Sequence, residues 1–85
     1  MEERKANLRH LIRVEDYLLD GKKECKTKIS KENNIPIEVI GDVLKYLINR
    51  GFMETTYKHC VTLYYLNENY INKIKEVRNE KENSM

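Results

Sequence analysis

The 85 residues contain no tryptophan, and phenylalanine, proline and alanine occur once each. Cysteine is nearly as scarce. Cys25 and Cys60 are too few for a disulfide scaffold. They are also too few for a structural zinc site unless histidines or a second chain contribute, and no C-x-x-C or H-x-x-x-H spacing occurs. No apolar run approaches the roughly 18 residues of a membrane span. The opening Met1-Glu-Glu-Arg-Lys is followed by nothing resembling a signal peptide. The expected setting is therefore soluble and cytoplasmic, or a host cytoplasm for a viral source. There is no internal repeat and no low-complexity stretch. The length is too short for two domains.

What is present is charge and branched aliphatics. Charged residues make up 35% of the chain, with 16 Lys+Arg against 14 Asp+Glu and a net charge of +2. Ile and Leu are plentiful enough to argue against disorder throughout. A core this small supplies only a few kcal/mol of net stability, which favours self-association.

Periodicity places the elements. Over 4–20, Leu8, Leu11, Ile12, Leu18 and Leu19 fall at helical spacing, and Glu15 alone breaks the apolar set. Gly21 suits the stop. Residues 21–26 read as a polar connection with a very short strand near Cys25. Thr27 is the candidate N-cap of a short helix over 28–33. Asn34 tolerates the left-handed backbone of a sharp turn, and Pro36 suits the first position of a new helix. Over 36–50, Ile40, Val43, Leu44, Leu47 and Ile48 form one apolar face, closed by Gly51. The period then changes. Residues 52–56 and 60–66 read as two strands of a hairpin, with Tyr57, Lys58 and His59 as its connection. Asn67 can cap a last helix over 68–79. The expected organisation is one domain over 1–79 with a disordered tail over 80–85.

The stretch Ile29-Ser-Lys-Glu-Asn-Asn-Ile-Pro36, with Ile40, Leu44, Leu47, Gly51 and Phe52 behind it, resembles the helix-turn-helix of winged-helix DNA-binding regulators. Tyr64-Tyr-Leu-Asn-Glu68 looks like the end of the wing running into the last helix. The resemblance covers roughly residues 8–77 and extends to small dimeric regulators of archaea and archaeal viruses. It implies an α+β winged helix-turn-helix, mainly α with a β-hairpin, that regulates transcription as a homodimer on specific double-stranded DNA sequences, not an enzyme. Residues 36–50 would be the recognition helix.

An α-helix fits the major groove, where base edges carry a distinguishable donor and acceptor pattern. The outward face of 36–50 holds Ile37, Glu38, Gly41, Asp42 and Lys45. Gly41 would allow close approach. Glu38 and Asp42 suit the helix dipole and repel phosphate, yet either could accept from a cytosine amino group. Lys22, Lys23, Lys26, Lys28 and Lys31 face Glu24 alone within residues 21–31, an excess of four positive charges. Lys26, Lys28 and Lys31 are expected on phosphates, and Tyr57, Lys58 and His59 on the flanking backbone or minor groove. The alternative is a winged-helix protein-interaction module, which the acidic start of the helix would fit.

Leu8, Tyr17, Tyr70, Ile71, Ile74 and Val77 exceed what so small a core can bury and are the expected dimer surface. Cys25 or Cys60 could staple that dimer by a disulfide in a hyperthermophile. Otherwise Cys25 reads as a semi-buried thiol. His59 and Cys60 are adjacent, but strand neighbours point to opposite faces, which argues against a nucleophile and base. No metal, cofactor or small-molecule ligand is implied.

Overall fold

A computed structural model describes residues 8–83, with side chains described as far as Asn79. The order is α1 (Leu8–Leu18), α2 (Lys26–Asn33), α3 (Ile37–Asn49), β1 (Met53–Lys58), β2 (Val61–Leu66) and α4 (Glu68–Asn83). The part of the first predicted helix at 4–7 lies outside the described residues. No helix among the described residues is long and apolar enough to cross a membrane.

Turn chemistry fixes the joints. Asn34 takes φ +55 after α2, and the Ile35 N–H reaches back to the Ser30 carbonyl at 3.1 Å. Gly51 repeats the device after α3 at φ +78, with Phe52 N–H donating to the Leu47 carbonyl at 2.9 Å. Both are Schellman-type ends, each followed by an apolar residue that turns back onto the core. The Ser30 hydroxyl also donates to the Ile35 carbonyl at 2.6 Å, which locks the turn between α2 and α3.

The core sits where three helices and the hairpin base meet. Val14 and Leu18 of α1, Ile29 of α2, Ile35 of the turn, Ile40, Val43, Leu44 and Leu47 of α3, Met53, Leu66 and Ile71 are all buried. β1 and β2 pair antiparallel, from Met53 opposite Leu66 out to Lys58 opposite Val61. The short strand expected near Cys25 is a single bridge. Glu24 and Tyr64 exchange both backbone hydrogen bonds, at 3.1 and 2.8 Å.

Several boundaries differ from the sequence reading. Cys25, not Thr27, is the N-cap of α2, and it makes no side-chain cap bond. The bridge at Glu24 sets that start, not capping chemistry. The strands reach further toward the tip than 52–56 implied. Tyr57 and Lys58 belong to β1, and the connection shrinks to His59 and Cys60. Both take positive φ, +50 and +63. That is the backbone of a type I′ turn, whose preferred residues are Asn and Gly. His59 and Cys60 are thus turn residues, not strand neighbours. Exchanging them for Asn-Gly relieves two side chains held in the left-handed region and should stabilise the fold by about 1–2 kcal/mol. A urea midpoint that did not rise would show that the tip is not strained. Finally, α4 continues to Asn83, past the boundary expected at 79.

Candidate nucleic-acid interface

α3 divides cleanly. Ile40, Val43, Leu44 and Leu47 are buried, while Ile37, Glu38, Asp42, Lys45 and Asn49 are exposed. Sequence reasoning placed Ile37, Glu38, Asp42 and Lys45 on the outward face, and all four are exposed. The helix therefore offers an open face, largely polar, along its length, and an α-helix is an element that a major groove admits. Gly41 is half-buried. The Lys26 ammonium lies 3.7 Å from where a Cβ would stand at Gly41, so the open space serves this lysine. Lys26 is thereby brought from the start of α2 to the side of α3.

Lys28 and Lys31 are exposed on α2. Lys28 approaches Glu24 at 3.9 Å, one turn earlier, a contact too long and too wet to hold it. Lys22 and Lys23 are occupied differently. Their ammonium groups lie over the rings of Tyr17 and Tyr65, at 3.9 and 4.9 Å. The cluster of five lysines thus splits into two that cover aromatic rings, one set beside α3, and two that stand exposed on α2.

At the hairpin end, Tyr57, Lys58 and His59 are all exposed, Tyr57 at 71%. Tyr57 and Lys58 are successive residues of β1 and point to opposite faces, while His59 belongs to the turn. Cys60 is exposed, Cys25 is half-buried, and both are free thiols that do not pair with each other. Among the described residues no three His, Cys, Asp or Glu side chains gather as a metal-binding group.

The expected dimer residues separate into two sets. Ile71 is buried in the protomer's own core, and Tyr17 and Tyr70 pack against it. Leu8 and Val77 stand 68% and 52% exposed, with Ile12 beside them in the exposed set at 44%.

Helices α1 to α3 with a bridge, a hairpin and a closing helix, in this order and register, decide the architecture. The chain has the winged helix-turn-helix fold. The homodimeric winged helix-turn-helix DNA-binding domain of Mycobacterium bovis Mb0332, a possible ArsR-family transcriptional regulator, superposes with a TM-score of 0.75 at 15% identity, covering 84% of this chain and 66% of that one. A single-substitution mutant of Lactococcus lactis ZitR superposes at 0.67 with 16% identity, covering 99% of this chain and 61% of that one. A ZitR double mutant gives 0.69 at 19% identity, over 85% and 53%. The winged-helix chain therefore spans between about half and two thirds of the length of these structures. No protein-family model and no curated protein matches the sequence. The structures named are bacterial, so they lend nothing to an archaeal or archaeal-virus source.

One constellation escaped the sequence reading. Glu15 is buried, 8% exposed, and accepts a hydrogen bond from the Tyr70 hydroxyl. The Tyr70 ring stacks on Phe52 with centroids 4.1 Å apart and planes 6° from parallel. The only trace in the sequence was a carboxylate interrupting the apolar stripe of α1. Burial, and then the bond to the Glu15 carboxylate, hold the Tyr70 hydroxyl well above its ordinary pKa of 10.0. A raised folded pKa means the contribution is fully present below pH 10 and is lost as pH rises through the folded value. The stability difference between the parent and Tyr70→Phe should thus be constant to about pH 10 and shrink above it. Urea titrations at neutral and alkaline pH check this, and a difference that grew with pH would contradict it.

Proposed function

We propose that this chain is a transcriptional regulator that binds specific double-stranded DNA sequences as a homodimer. The observation that carries the reading is the open outward face of α3, with Lys26 at its side, Lys28 and Lys31 exposed on the preceding helix α2, and the core wholly on the other side of α3. In this reading α3 enters the major groove, with Ile37, Glu38, Asp42 and Lys45 toward base edges. The lysines sit on phosphates, which set register without reading sequence. Tyr57, Lys58 and His59 of the wing touch the flanking backbone. The DNA-binding Mb0332 domain, homodimeric in the same fold, supports both halves of the proposal.

The dimer is assigned to the terminal helices. Leu8, Ile12 and Val77 are exposed apolar side chains on α1 and α4. Burial of such a patch against a second copy removes it from water at about 25 cal/mol per Å². Ile74, on the same helix as Val77, is half-buried.

Fluorescence anisotropy with random and selected duplexes across salt tests the proposal. Three phosphate contacts per subunit, six in the dimer, predict that log K falls with log salt at a slope near −5, from roughly 0.9 per contact. Absence of binding at low salt would overturn it. That outcome would favour the second reading, a protein-interaction module. Glu38 and Asp42, exposed and in no ion pair among the described residues, give that reading its specific support.

A further inference from the structure

Glu15 is the single charged residue buried among the described residues. A buried carboxylate is costly unless hydrogen-bonded, and Tyr70 supplies the bond. Its neighbour Asp16 is exposed and takes a second cross-helix contact, from the Arg78 guanidinium at 2.7 Å. Tyr70 and Arg78 stand eight residues apart on α4, about 12 Å along a helix axis. Glu15 and Asp16 are adjacent on α1. Two side chains from well-separated points of one rod therefore contact successive residues of another, one buried and one exposed.

Among the described side chains, the other hydrogen-bonded, stacked and core-buried attachments of α4 lie at its beginning. The Asn67 side chain caps it, accepting from the Asn69 N–H at 2.8 Å, and Ile71 enters the core. From Asn72 to Asn79 only Ile74 is half-buried, and every other side chain is exposed. A rod held only at one end pivots, whereas a second strut eight residues on removes the pivot. The stack on Phe52 adds a reference. Phe52 follows the glycine that closes α3, so the start of α4 is registered against the recognition helix.

We propose that Glu15 and Asp16 are positioning residues that fix the direction of α4 relative to α3 through Tyr70 and Arg78, and so set the separation of the two recognition helices in the dimer. The second half of this statement rests on the homodimer reading above. The pair contributes direction more than net stability, because a buried polar pair replaced by apolar residues is often neutral in stability. The two struts also differ in kind. The Asp16–Arg78 contact is exposed and weakens with salt, while the Glu15–Tyr70 contact is sheltered from it.

Distances between nitroxide labels test this in the full chain carrying Cys25→Ser. One label goes on Cys60 at the wing tip and one on the cysteine introduced by Lys75→Cys. Dilution with unlabelled chain isolates the distance within one protomer. The parent should give a single narrow distribution. Tyr70→Phe combined with Asp16→Asn should broaden or shift it. Glu15→Leu with Tyr70→Phe should melt no lower than Tyr70→Phe alone and still show the broadened distribution, a result that separates direction from stability. Narrow distributions at the parent's distance in both variants would overturn the proposal. A second arm labels Cys60 alone, undiluted. An intermolecular distance that is narrow in the parent and broad in the variants supports the spacing role. No intermolecular distance in the parent would overturn the dimer reading and the spacing role with it, an outcome distinct from an unchanged protomer. An intermolecular distance that stays narrow while the protomer distance broadens would overturn the spacing role alone.

Discussion

Leu47→Ala should lower the melting temperature by about 10–25 °C, the equivalent of about 2–5 kcal/mol for a buried leucine in a domain of this size. Leu47 is fully buried on α3, in the cluster that joins Val14 and Leu18 of α1 to Ile29 of α2 and Met53 and Leu66 of the hairpin. Its removal opens a cavity at the point where all these elements meet. A small domain has only a few kcal/mol in reserve, so the variant should be substantially unfolded at physiological temperature. Ile48→Ala provides the control. That side chain is one residue on, on the same helix, and already 38% exposed. Truncating it should cost about 1 kcal/mol or less. Circular dichroism melts of the two variants check the facing of α3. Similar melting temperatures would mean that the buried and open faces of the helix are wrongly assigned, and the interface built on the open face would fall with them.

That facing was legible in the sequence for a physical reason. Ile40, Val43, Leu44 and Leu47 repeat at helical spacing and are buried, because burial follows spacing when one face has to close a core. Ile48, read on the same apolar face, instead stands 38% exposed. The two helix ends at Asn34 and Gly51 were equally readable, because the left-handed backbone of a C-terminal cap admits few residue types. What could not be read divides into local and distant causes. The wing tip is local. A type I′ turn is normally announced by Asn or Gly, and His59-Cys60 announces nothing, so the connection was drawn too long. The start of α2 is distant. It is set by the Glu24–Tyr64 bridge, forty residues apart in the chain, and Thr27 offered a capping signal that the fold does not use. The Glu15–Tyr70 contact spans 55 residues, and no periodicity of either helix encodes it. The end of α4 had no stop signal at all, since 79–85 contains neither glycine nor proline. For the candidate site, the residue set on α3 was readable from periodicity. The role of Gly41 was not, because the approach of the Lys26 ammonium depends on how α2 crosses α3.

The largest functional effect is expected from the lysines of α2. Lys28→Ala with Lys31→Ala removes two exposed cations per subunit, four in a dimer, without touching the core or the outward face of α3. If each sits on a phosphate, the salt slope should flatten from about −5 to about −2, at roughly 0.9 per contact. Counterion release then gives the affinity loss directly. Four contacts across one decade of salt, from 1 M down to 0.1 M, are worth between three and four orders of magnitude, roughly, in the binding constant. The loss should be the same for selected and random duplexes, because phosphate contacts position the protein and carry no sequence information. Asp42→Ala gives the opposite signature. Removing a carboxylate from the outward face should strengthen binding to random duplex by relieving repulsion, and should reduce discrimination wherever that carboxylate accepts from a cytosine amino group. Folding should be untouched in each case, since these side chains are exposed. Anisotropy titrations at several salt concentrations, with far-ultraviolet spectra as the folding control, separate the two behaviours. Lysine variants that bind with an unchanged salt slope would place the phosphate contacts elsewhere on the surface. An unchanged preference in Asp42→Ala would take that side chain out of base recognition.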